Sequence, residues 1–94
     1  MTKIVIDMEK GTLTAEGHAG FAGRGRDVVC AAVSAITQTA AAYAKKHGGS
    51  AVTGDGRIEI GCRHERYKPV LEATADGLKM IAAQYPLCVR VKVR

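Results

Sequence analysis

Tryptophan is absent, and the 94-residue chain holds only four aromatic side chains, Phe21, Tyr43, Tyr67 and Tyr85. So few rings make a poor stacking platform for single-stranded nucleic acid. Large aliphatic side chains are also scarce: Val, Ile, Leu and Phe together number 20, against 15 alanines. Each alanine removes little area from water, so a core built this way has little stabilisation to spare. Association into an oligomer is compatible with that composition. Cysteine occurs three times, at Cys30, Cys62 and Cys88, an odd number at wide spacing. That excludes a disulfide framework and a CxxC pair, and it suits a cytoplasmic protein with reduced thiols. No apolar run approaches the roughly 20 residues that span a bilayer. Residues 1–10 carry charges where a signal peptide needs an apolar block. Neither a membrane nor secretion is expected, and the length fits one domain over residues 1–94.

What is present is patterned. Residues 2–8 alternate, with Ile4, Ile6 and Met8 on one face, as a half-buried strand requires. Gly11 ends a short turn, and residues 12–18 alternate again, so a hairpin follows. Four glycines fall between positions 17 and 25. The segment 19–26 has no periodicity and reads as a mobile loop. Asp27 then stands where a helix N-cap is wanted, and Val29, Val33, Ile36, Ala40 and Tyr43 make a core-facing stripe. A helix is predicted over residues 28–47, closed by Gly48 and Gly49.

Ala51 and Val52 predict a weak strand, Gly54-Asp55-Gly56 a turn, and residues 57–63 a strand. Pro69 marks the first turn of a second helix, whose stripe is Leu71, Thr74, Leu78, Ile81 and Tyr85. Gly77 inside it predicts close packing, and Pro86 stops it. Residues 87–94 alternate as a last strand. The order β-β-α-β-β-α-β predicts an α+β fold: a mixed sheet of four to five strands with two packed helices, opened by a hairpin.

The chemistry concentrates between His18 and Cys30. With Asp27 as N-cap, Cys30 is the third helical residue, where unpaired N–H groups and the positive dipole end favour a thiolate. His18 ends the strand that leads to this helix, so the pair has the parts of a nucleophile and its proton-transfer partner. First-turn N–H groups would also supply oxyanion donors. Asp27 either caps the helix or orients His18. Ser34, four residues on, shares the face of Cys30 and lines the same pocket or bonds back to its own helix. Gly20, Phe21, Gly23, Arg24, Gly25 and Arg26 form the loop that would meet a substrate; the plainer reading of the two arginines is a solvated edge. Cys62 continues the apolar face of Ile58 and Ile60 and reads as core. His64 beside it would give half a zinc site at best, and no metal or other cofactor is expected. His47 reads as structural and Cys88 as incidental on a polar face.

The run Gly17-His18-Ala19, the glycine-rich segment, and Asp27-Val28-Val29-Cys30-Ala31-Ala32-Val33-Ser34 resembles the ribosomal-processing cysteine protease family, Prp. A second match is Gly77-Leu78-Lys79, Ile81-Ala82 and Tyr85-Pro86. The resemblance spans essentially the whole chain. It implies a homodimeric α/β endopeptidase that removes a short N-terminal extension from large-subunit ribosomal protein twenty-seven. It also implies Cys30 as nucleophile and His18 as its partner. A different class remains as the alternative: a non-catalytic basic module bound to RNA or the ribosome. Its support is the net charge of +5 and the Arg90, Lys92, Arg94 row; ribosome or ribosomal RNA proximity suits either reading. A redox-sensing thiol ranks third, because no resolving cysteine is near.

Overall fold

The computed structural model describes the backbone of residues 1–17 and 24–94, and the side chains of residues 1–17 and 28–94. The elements are β1 (Thr2–Asp7), β2 (Thr12–Glu16), α1 (Arg24–Lys46), β3 (Ser50–Gly54), β4 (Arg57–Gly61), α2 (Tyr67–Gln84) and β5 (Val89–Val93). They form a five-stranded sheet of order β3-β4-β2-β1-β5. β5 lies parallel to β1, and every other pair is antiparallel. The mixed α+β fold and its element order are as the alternation predicts, and the weak strand at Ala51 is real.

Register explains the core. Ile4 pairs with Ala15 and Ile6 with Leu13, while Leu13 and Ala15 meet Ile60 and Ile58. These six side chains and Val89 share one face and are almost dry. The helices cover that face and pack against each other, α1 over β3 and β4, and α2 over β5. Val29, Val33, Ala40 and Ala44 of α1 and Leu71, Ala75 and Leu78 of α2 complete the core. The scarcity of large aliphatics is thus met by alanines on α1, which let the helix sit close to its neighbours.

Several boundaries differ from the sequence expectation. α1 begins at Arg24, so Arg24, Gly25 and Arg26 are helical and not loop, and Asp27 is the fourth helical residue and not the N-cap. Arginine is a good helix former, and the roughly 1 kcal/mol that Gly25 costs relative to alanine does not stop the helix. β2 ends at Glu16, because Gly17 turns to φ +109°. Tyr85 lies past α2 as its C-cap and is exposed, so the stripe ends at Ile81. Cys88 is half-buried and packs against the core, and is not on a polar face. Val93 is exposed.

Gly77 faces α1 as expected: a Cβ there would meet Ile36 Cδ1 at 3.3 Å. That atom is the free end of a half-buried side chain and can move by a few tenths of an ångström. Gly77→Ala is therefore expected to stabilise the protein by up to about 1 kcal/mol through helix propensity. Thermal unfolding checks it.

Candidate active site

Cys30 lies on the wall of an open cleft of about 260 Å³, with Ser34, Glu16, Gly17, Thr53 and Arg57 also on its lining. α1 supplies one wall. Cys30 is half-buried and Ser34 exposed, four residues apart on one helix face. The other wall is the end of the sheet where β2 finishes and the β3–β4 hairpin turns.

That sheet end is held by three contacts. The Arg57 guanidinium bridges the carboxylates of Glu16 and Glu59. Hydrogen bonding and charge from Glu59, then the charge of Glu16, hold the Arg57 pKa above its ordinary value. One residue further, the Gly17 N–H donates to the Gly56 carbonyl at 2.9 Å. A Cβ on Gly17 would collide with the Met1 carbonyl oxygen, so only glycine fits. The chain therefore leaves the sheet towards position 18 from a defined point.

Cys30 is the seventh residue of α1, not the third. It stands roughly 9 Å along the axis from the helix start. The dipole effect falls off within the first turn, and only the first four N–H groups of a helix lack an intrahelical partner. Cys30 therefore lies past the first turn, and its N–H falls within the intrahelical ladder and not among the free first-turn donors. His18, Gly20, Phe21 and Gly23 lie outside the described residues, as do the side chains of Arg24, Arg26 and Asp27.

Polar residues beyond the expected set also reach the cleft: Thr37 and Gln38 from α1, Thr2 from β1 and Thr53 from β3. Thr37 is buried and donates to the Val33 carbonyl at 2.9 Å. A signal existed in the spacing, since residues 30, 34, 37 and 38 form one helical stripe of polar or thiol side chains.

At the opposite end of the sheet Cys62 is buried, as expected, and its S–H donates to the His47 carbonyl at 3.8 Å. The His47 and His64 rings lie 4.8 Å apart. Among the described residues no group of three His, Cys, Asp or Glu is placed to hold a metal. Desolvation first, then the charges of His64, Arg66 and Lys46, push the His47 pKa below its usual range. Burial first, then Cys62, pushes the Tyr67 phenol up to about 12.

Both shifts favour the neutral form in the folded state. For His47 the unfolded chain binds more protons near pH 6, so stability is expected to fall as pH drops below about 6.5. For Tyr67 the unfolded chain loses its proton first, so stability is expected to fall as pH rises from about 10 towards 12. Urea midpoints across pH, compared with His47→Gln and Tyr67→Phe, check the two windows.

A thiol in the wall of an open cleft supplies one of the two parts that a cysteine-nucleophile enzyme needs. The model of the family described as cysteine protease Prp matches residues 1–90. The chain belongs to that family of cysteine proteases. No curated protein matches it. Among solved structures it is similar to the essential ribosomal processing protease Prp of Staphylococcus aureus in complex with a substrate peptide. That likeness has a TM-score of 0.85 at 18% identity and covers 100% of both chains. The same protease with a covalently linked product peptide gives 0.85 at 19%, again over 100% of both chains. A Streptococcus mutans protein gives 0.74 at 23%, over 98% of this chain and 90% of that one. Family membership sets aside the non-catalytic binding module. No helix among the described residues is long and apolar enough to cross a membrane.

Proposed function

We propose that residues 1–94 form one cysteine endopeptidase domain that removes the N-terminal extension of large-subunit ribosomal protein twenty-seven, with Cys30 and His18 as its dyad. The observation that carries this is Cys30 on the wall of the cleft that Gly17, the residue preceding His18, also lines. The family match and the fold shared with a ribosomal processing protease support the same reading.

His18 takes the thiol proton as the general base of the pair. The sulfur attacks the scissile carbonyl and forms a C–S bond. The C–N bond then breaks as His18 returns the proton to the leaving amine. Water, deprotonated by His18, hydrolyses the thioester and frees the thiol. Asp27 and Ser34 support this centre, and the segment of Gly20, Phe21, Gly23, Arg24, Gly25 and Arg26 contacts the substrate.

The enzyme works in the cytoplasm, as a homodimer and near ribosomal RNA. Met80, within α2, and Leu87, beyond it, are 66% and 80% exposed, which supports a covered surface. The test is incubation with the ribosomal protein precursor of the same organism. Loss of the extension mass is expected, and an unchanged precursor contradicts the reading.

A further inference from the structure

The two edges of the sheet are built differently. β5 carries exposed Arg90 and Lys92, the charged guard that keeps an edge from pairing with another chain. β3 reads Ser-Ala-Val-Thr-Gly, with no charge and no proline. Among the described residues no strand lies on its outer side. The unguarded edge is also the one that reaches the cleft, since Thr53 and Gly54 line it together with Cys30.

The ladder shows which β3 groups are free. Cys62 N–H donates to the Gly11 carbonyl at 3.0 Å, and Gly17 N–H to the Gly56 carbonyl at 2.9 Å. Hydrogen-bonded pairs alternate along an antiparallel ladder. Ile58 and Ile60 therefore also bond to β2, and Arg57, Glu59 and Gly61 bond to β3. The β3 partners of those three are Gly54, Val52 and Ser50. The N–H and C=O groups of Ala51 and Thr53 are left pointing outward, at the edge that leads to Cys30.

We propose that this edge is the recognition strand for the substrate: an extended segment of the cleaved polypeptide pairs with the main chain of Ala51 and Thr53 as a sixth strand. The pairing brings the scissile carbonyl to Cys30. Main-chain pairing supplies affinity with little sequence preference. It fits a linear N-terminal extension, which has unpaired backbone groups to offer. This rests on the endopeptidase reading above.

The test uses the Cys30→Ser protein and a synthetic peptide spanning the junction between extension and mature ribosomal protein. Amide exchange at Ala51 and Thr53 is expected to slow roughly tenfold or more on binding, with no change at Val91 and Val93. On β5 the bonds of Cys88 and Arg94 to β1 leave the Val93 N–H outward, so it provides the control. In the otherwise unaltered protein, Thr53→Pro removes an outward N–H without breaking the β3–β4 ladder. It is expected to raise KM for the peptide roughly tenfold, whereas Val93→Pro leaves cleavage unchanged. If Thr53→Pro does not fold, the exchange measurement decides.

Bound peptide without slowed exchange at Ala51 and Thr53 overturns the proposal and leaves the protease reading standing. So does protection that precedes peptide and grows with protein concentration, which assigns the edge to a second copy of the chain. A peptide that the unaltered protein neither binds nor cleaves overturns the endopeptidase reading, and the recognition strand with it.

Discussion

Cys30→Ser is expected to abolish cleavage, by roughly 10⁴-fold or more, while leaving the fold and peptide binding intact. The serine oxygen is a far weaker nucleophile than sulfur at neutral pH and needs stronger activation. Cys30 is half-buried on the cleft wall, so losing its thiol opens no core cavity. Cys62→Ser makes the contrast. Cys62, in the connection from β4 to α2, is buried, at the other end of the sheet from the cleft. Its replacement should cost stability and leave the rate of the folded fraction alone. Assays of kcat/KM and thermal unfolding on both variants separate the two roles. Equal loss of activity in both would remove the special status of Cys30.

Gly17→Ala carries the second large effect, because it joins the fold to the site. At φ +109° an L side chain is strained by about 1–3 kcal/mol. The added Cβ would also run into the backbone oxygen of Met1, so the end of β2 must shift. A fall in Tm of roughly 10 °C is expected for a domain of this size. The displaced end is the one that precedes His18, so kcat should fall in the protein that remains folded. Gly48 provides the comparison. It also has a positive φ, 78°, but a Cβ there meets nothing within 4 Å. Gly48→Ala should cost about 1 kcal/mol in backbone strain and leave kcat unchanged.

Much of this architecture was legible because period-2 alternation and helical stripes are set by burial. Ile4 with Ile6, and Ile58 with Ile60, each have to face one core. The shared helix face of Cys30 and Ser34 and the core role of Cys62 followed from the same periodicities. The start of α1 did not. Asp27 carries a strong local cap signal, yet the helix continues one turn above it, and that moves Cys30 away from the helix terminus. The anchoring of Gly17 was also hidden. It depends on Arg57 and Gly56, 40 and 39 positions later in the chain, which only the β2–β4 register brings alongside. The free groups of β3 likewise depend on which β4 residues bond to β2, a parity that alternation alone leaves open.

The reaction can be trapped on the enzyme. The unaltered protein is mixed with the ribosomal precursor peptide, quenched in acid within the first turnover, and its mass and peptide map are recorded. An adduct equal to the acyl part of the extension, joined through a thioester to Cys30 and absent from the Cys30→Ser protein, is expected. Cleavage with the adduct on Cys62 or Cys88, or cleavage that persists in Cys30→Ser at the unaltered rate, would rule out Cys30 as the nucleophile.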